Sequence, residues 1–459
     1  MFLISHLISS PPLCHIGGPA WCFYRSDHHP PGVPTFVMLP LTIVDPNNPG
    51  QLADPNTLRA WLVKLKDAGV HGVMADFWWG VVEKTGPQQY NWAAYIQLVQ
   101  MCVQIGLKVN VVASFHRCGG NVGDDCNIPL PSWVLETSSV YYKDQNGAET
   151  REYISLGADN LSLFRGRTPV NMYRDYLTSF RQTFAQYLQA GIIEEIEVGA
   201  GPTGELRYPA YQLDKWTFPG VGAFQAYDQH MLGMLKEAAA NVSRPDWGVP
   251  PSNAGSYNSR PEDTAFFSNS QPNNWQSDYG EFFLGWYSSV LIAHGRRLLD
   301  VADAVFSGYP TTFSVKVSGI HWLYNTDSHG AELTCGYYNS ALRDGYAEIA
   351  ALLLPYNASF DFTCLEMRAS EQPANARSNP EALVAQTRKA SEVKGVRYRG
   401  ENALQRYDRT AYNQIIAQSR LSNGNPIDGF TYLRLTSDLV NNANYYNDFK
   451  WFISQMKLL

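Results

Sequence analysis

Residues 72–116 read GVMADFWWGVVEKTGPQQYNWAAYIQLVQMCVQIGLKVNVVASFH, and their pattern decides the fold. Residues 72–79 form a short, nearly continuous apolar run, the signature of a strand buried on both faces. Residues 92–105 carry apolar side chains at helical spacing, and residues 108–116 form a second strand-like run. Two buried strands joined through a helix are a parallel pair with a crossover.

The same alternation extends in both directions. Upstream, residues 35–42 (TFVMLPLT) form a strand-like run. Leu58, Trp61, Leu62, Leu65 and Ala68 then follow helical spacing, opened by Asp54-Pro55 and stopped by Gly69. Downstream, a long helix at 169–190 leads to a strand at 193–199. An irregular stretch rich in Pro, Asn, Gly and Trp follows Tyr208, with helical pieces at 224–240 and 281–302. Further strand-like runs occupy 314–320, 360–367, 396–402 and 429–435, with helices expected at 345–354, 380–391, 411–419 and 447–456. Eight β-type runs alternating with helices predict an α/β fold, a (β/α)8 TIM barrel. A single catalytic domain over residues 34–459 is expected, preceded by a disordered or targeting lead at 1–33 that holds no basic residue before Arg25.

The composition bounds the function. The 459 residues are 45% hydrophobic and 17% charged, as expected of a large globular core. A net charge of −7 without a basic stripe argues against nucleic acid as a partner. No apolar stretch approaches the ~20 residues needed to span a bilayer. The 12 Trp and 27 Tyr suit sugar rings as well as an aromatic core. Seven scattered cysteines form no Cys-x-x-Cys pair and suit no zinc site, so reduced thiols are the default, with Cys118 and Cys126 near enough to pair around a loop.

Polar residues collect where the barrel strands are expected to end, the rim that carries chemistry in this fold. Asp76, His116, Glu205, Lys316, His321, Thr363, Glu366, Glu401, Asn402 and Arg434 all fall there. Each has a structural alternative: a satisfied histidine, a snorkelling lysine, an Asp76–Arg434 ion pair. Their joint placement at one rim favours function. Glu205 and Glu401, far apart in sequence, are the pair that glycoside hydrolysis requires, an acid and a base across a sugar ring. The glycine-rich segment 117–124 (RCGGNVGD) reads as a lid that brings in Asp124.

Seven blocks, VMADFWWGVVE (73–83), SFHRCGGNVGD (114–124), GPTGELRYP (201–209), KVSGIHW (316–322), FTCLEMR (362–368), GENAL (400–404) and TYLRL (431–435), resemble those of the β-amylases, glycoside hydrolase family 14. The resemblance implies one (β/α)8 barrel with a small lobe of long βα loops. It implies an exo-acting, inverting hydrolase that releases β-maltose from the non-reducing ends of α-1,4-glucans such as starch. By motif, Glu205 corresponds to the general acid and Glu401 to the general base. Asp76, His116, Asp124, Lys316, His321, Thr363, Asn402, Ala403 and Arg434 correspond to sugar-contacting positions. Asp124 belongs to the flexible lid and Thr363 to an inner loop.

Thr203 stands where the family usually has Ala or Ser, and Ala210 where it has Ser; Thr42, Arg117 and Ala369 also depart from its common pattern. An inverting site separates its carboxyls by ~6.5–9.5 Å, with the acid kept protonated by burial or a neighbouring carboxylate. Lys316 is the candidate to keep Glu401 ionised. The chemistry needs no metal or organic cofactor. A glucan substrate, no nucleic-acid or membrane partner, and a monomer are expected. The alternatives are a glucan-binding regulator on the same scaffold, or a retaining enzyme with carboxyls only ~5–5.5 Å apart. Residues 152–159 (EYISLGAD) resemble plastid members, so a plastid (chloroplast) is the expected location, with the cytoplasm as the alternative.

Overall fold

The computed structural model describes residues 32–45, 48–269 and 271–459. The lead expected at 1–33 therefore lies almost wholly outside the described residues. Among the described residues ten strands are formed: β1 (Thr35–Met38), β2 (Gly72–Trp78), β3 (Lys108–Ser114), β4 (Tyr141–Lys143), β5 (Glu149–Ile154), β6 (Ile193–Val198), β7 (Thr312–Val317), β8 (Ser359–Phe362), β9 (Tyr398–Glu401) and β10 (Gly429–Tyr432). Eight of them close a parallel barrel in the order β1-β10-β9-β8-β7-β6-β3-β2, while β4 and β5 form an antiparallel hairpin in the long connection after β3.

The strands stop earlier than their apolar runs. Leu39 and Leu41 after β1, and Leu365 and Met367 after β8, are buried, yet they lie beyond the ladder. Loops at the barrel mouth are themselves packed, so hydrophobicity continues where strand pairing ends. β7 begins two residues before the expected position 314 and ends at Val317.

Helix starts follow side-chain chemistry. Asp54, Thr168 and Asn379 each accept a backbone N–H of the first turn, from Thr57, Asn171 and Ala382, and each precedes a proline whose missing N–H leaves nothing unpaired there. The helix expected at 224–240 instead spans Gln229–Asn241, because Asp228 caps His230 and Met231 and residues 224–228 run without helical structure. The longest helix, Asp278–Phe306, packs against Pro169–Gln189 outside the barrel.

Most aromatics serve the core. Phe77 stacks on Tyr95 at 4.1 Å and meets Phe180 and Phe184 edge-on, and Tyr208 stacks on Tyr287 at 3.9 Å. One default is corrected: Cys118 and Cys126 form a disulfide, with Cα atoms 5.7 Å apart. The antiparallel bridge between Cys118 and Ile128 draws the two limbs of the loop together. Cys102, Cys335 and Cys364 are free and buried.

Candidate active site

At the C-terminal end of β6 the chain makes a tight reversal. Thr203 (φ 53°) and Gly204 (φ 79°) are successive left-handed residues, and Glu205 N donates to Pro202 O at 2.9 Å. A β-carbon on Gly204 would stand 3.2 Å from the Glu197 carboxylate, so glycine suits both the torsion and the space. The reversal lays Glu205 alongside β7, where Leu206 N donates to Lys316 O at 2.9 Å. Arg207 Nε donates to Glu205 Oε2 at 2.6 Å, and Thr203 Oγ1 lies 2.7 Å from that oxygen and 2.7 Å from Pro202 O. Both contacts fall on one oxygen, and the Arg207–Glu205 contact is a buried ion pair.

Glu401 is the last residue of β9, fully buried and beside Thr431 of β10. Lys316 Nζ lies against its Oε2. Burial pulls the Lys316 ammonium down, but Glu401, Glu197 and Glu205 outweigh it and hold the group above its ordinary value. Lysine here is a buried counter-charge and does not snorkel.

Beneath Glu401 lie two further acids. Carboxylate oxygens of Glu197, Asp361 and Glu401 fall within 4.8 Å of one another, and all three residues are buried. Neither oxygen of Glu197 or Asp361 has a hydrogen-bond partner among the described residues. Burial, reinforced by the Glu401 charge, pushes both well above the carboxylate range. Adjacent buried carboxyls resist ionising together, which favours the protonated form of Glu197 and Asp361. The trio is also the geometry a cation could use, but Lys316 already brings a positive charge to it. The other such cluster, Cys118, Asp124 and Cys126, has its two sulfurs joined.

The remaining expected positions gather at the same mouth. Asp76 accepts from Ser114 Oγ at 2.7 Å. Burial raises Asp76, while the nearby Arg434 and Lys316 charges oppose it. Arg434 Nη1 donates to Leu39 O at 3.0 Å. His116 packs edge-on against Trp78 at 5.0 Å and is driven to about 3 by burial, with Arg207 and Lys316 adding to the shift. His321 meets Ser378 Oγ at 2.6 Å, and burial lowers it to about 4. Both imidazoles are neutral. Thr363 Oγ1 accepts from Gly319 N at 2.9 Å.

Asp124 turns inward on its own loop. Its Oδ2 accepts from Gly119 N and Asn121 N, each at 3.0 Å, and burial raises it against those bonds. Asn121 Oδ1 in turn accepts from Arg207 Nη2 at 3.3 Å, which ties the loop to the residue that holds Glu205. Asn402 brackets Leu433, donating to its carbonyl at 2.6 Å and accepting from its N–H at 2.8 Å. Its amide thus braces the backbone that precedes Arg434. Glu366 accepts from Ala403 N at 3.0 Å and Leu404 N at 2.7 Å, and burial raises it to about 7.

Sequence reasoning missed Glu197, Asp361 and Arg207 as parts of this site. A signal existed for the first two: each acid stands between two bulky apolar residues in a barrel strand, Ile196 and Val198, or Phe360 and Phe362. Within a strand flanked by packed helices, such a residue points into the barrel.

The comparisons with known proteins follow this geometry. The family model for glycosyl hydrolase family 14 matches residues 36–458. The chain is 46% identical over 436 residues to a β-amylase of Glycine max, covering 92% of this chain and 87% of that protein. It is 48% identical over 439 residues to the chloroplastic β-amylase 1 of Arabidopsis thaliana, covering 93% of this chain and 76% of that protein. The crystal structure of the β-amylase catalytic domain from Paenibacillus polymyxa superposes with a TM-score of 0.76 at 32% identity, covering 92% of this chain and 97% of that one.

Proposed function

Because this chain belongs to glycosyl hydrolase family 14 and is a β-amylase, we propose that it is an exo-acting, inverting enzyme that releases β-maltose from the non-reducing ends of α-1,4-glucans, with Glu205 as general acid and Glu401 as general base. The observation that carries this reading is the contrast between two buried carboxyls at one rim. Glu205 is held through a single oxygen by Arg207, with Thr203 Oγ1 beside that oxygen and Oε1 left to deliver a proton. Glu401 lies against a buried ammonium and is flanked by acids whose burial favours their protonated forms.

The reaction follows from these settings. Glu205 Oε1 gives its proton to the glycosidic oxygen as the bond to C1 breaks. A water on the opposite face of the ring attacks C1 and loses a proton to Glu401. Inversion results, because attack and departure occupy opposite faces. Lys316 opposes loss of charge from Glu401 until the water is deprotonated.

Asp76, His116, Asp124, Lys316, His321, Thr363, Asn402, Ala403 and Arg434 surround the sugar-binding mouth in this reading, with His116 and His321 as neutral hydrogen-bonding groups. A role in starch breakdown follows from the proposed reaction, and a plastid location accords with the chloroplastic β-amylase 1 of Arabidopsis thaliana. The test is the anomeric form of the first product. Proton NMR of a fresh maltoheptaose digest is expected to show β-maltose before mutarotation. Initial α-maltose, or glucose in place of maltose, sinks the reading.

A further inference from the structure

Thr203 occupies a conformation that its side chain disfavours. A β-branched residue at φ 53° and ψ 22° is unusual, and the strain persists only where the surroundings hold it. The surroundings here are the acid itself. Thr203 Oγ1 stands 2.7 Å from Glu205 Oε2 and 2.7 Å from Pro202 O, and it accepts from Arg207 Nη2 at 3.3 Å. A hydroxyl has one hydrogen. With its lone pair turned to Arg207, that hydrogen has two equivalent places to go.

We propose that Thr203 is a positioning residue for the general acid, a hydroxyl that turns from Pro202 O to Glu205 Oε2 as the acid loses its proton. The inference rests on the assignment of Glu205 made above. While Oε1 carries the proton, the neutral carboxyl is a weak acceptor and the hydroxyl serves the Pro202 carbonyl. As the proton passes to the glycosidic oxygen, negative charge develops on the carboxylate and the hydroxyl rotates to it. The bond is therefore stronger in the transition state than in the ground state, the condition under which an interaction raises kcat and leaves KM alone. Arg207 makes the complementary, permanent contact. No atom is transferred to or from Thr203.

The test separates proton delivery from architecture. Thr203→Gly removes the hydroxyl at a torsion that glycine adopts freely, so its melting temperature should hold or rise. Thr203→Ser keeps the hydroxyl. Two substrates are compared: maltotetraose, whose leaving sugar needs a proton, and α-maltosyl fluoride, whose leaving fluoride departs largely without one. For maltotetraose, Thr203→Gly should lower kcat by about tenfold with KM within about twofold, and Thr203→Ser should stay near the native rate. The rate on α-maltosyl fluoride should change far less in both variants. An unchanged kcat in Thr203→Gly, an equal fall on both substrates, or failure of Thr203→Ser to retain activity overturns the proposal and leaves the assignment of Glu205 standing. A native protein that turns over neither substrate overturns both.

Discussion

Lys316 Nζ lies against Glu401 Oε2, and both side chains are shut away from solvent, at 11% and 0% exposure. The pair lies between adjacent acids: Glu197 and Asp361 beneath, and Glu205 alongside through the backbone contact of Leu206 with Lys316. One lysine thereby links the two halves of the proposed reaction. Removing it should damage both stability and rate. Lys316→Met leaves Glu401 buried without its counter-charge, a change that costs about 3–5 kcal/mol in comparable buried pairs. The expected outcome is a lower urea midpoint, together with a loss of kcat that Lys316→Arg does not fully restore.

The acid and the base are tested by amides. Glu205→Gln and Glu401→Gln should each lower kcat by at least ~10²-fold on maltodextrin, the lower end for acid–base catalysis. Binding of a maltodextrin, followed by calorimetry, should survive in both. Near-native turnover in either variant removes that residue from its proposed role.

Two sets of groups should pull stability in opposite directions as pH changes. His116 and His321 have folded values of about 3 and about 4 against an ordinary 6.5, so the unfolded chain binds more protons below pH 6.5. Stability is then lost as pH drops through that window. Glu197 and Asp361 are raised, so the folded chain holds more protons once pH exceeds the ordinary carboxylate values, and stability is lost as pH rises. Melting scans from pH 4 to 9 should show His321→Asn weakening the loss toward acid and Asp361→Asn weakening the loss as pH rises above the ordinary carboxylate values. An Asp361→Asn scan parallel to the native one would contradict the proton assignment.

Glu366 fixes the segment that carries Ala403. Glu366→Gln keeps one of the two backbone acceptors and sets an amide N–H against the other donor. The expected cost is about 1–3 kcal/mol of stability for a donor left unpaired. If Ala403 contacts substrate, KM for maltodextrin should rise more than kcat falls.

The loop between Cys118 and Cys126 is closed on itself by a covalent tie. Dithiothreitol or a Cys118→Ser substitution should lower stability by about 2 kcal/mol, the entropy of closing so short a loop. The drop should be absent when dithiothreitol is added to the Cys118→Ser variant.

Local signals made much of this protein legible. The βαβ repeat at 72–116 and the Asp54-Pro55, Thr168-Pro169 and Asn379-Pro380 starts depend on neighbours in sequence, so periodicity and capping revealed them. Strand ends were read too long, because burial at the mouth continues past strand pairing. Segment 224–228 was read as helix because its apolar residues fit the period, while the Asp228 cap set the true start. Glu205 and Glu401 were legible as a pair because each stands at or just past the end of an expected strand, where core packing asks for no charge.

The sequence by itself determined the barrel and marked the two glutamates, since both are written in short-range pattern. Only the tertiary structure decided which charges share a site. Glu197, Lys316, Asp361 and Glu401 come from four different strands, and closure of the barrel brings them within reach of one another. That proximity determines which acids keep protons and which one faces an ammonium, because electrostatic coupling depends on distance and burial and not on separation along the chain.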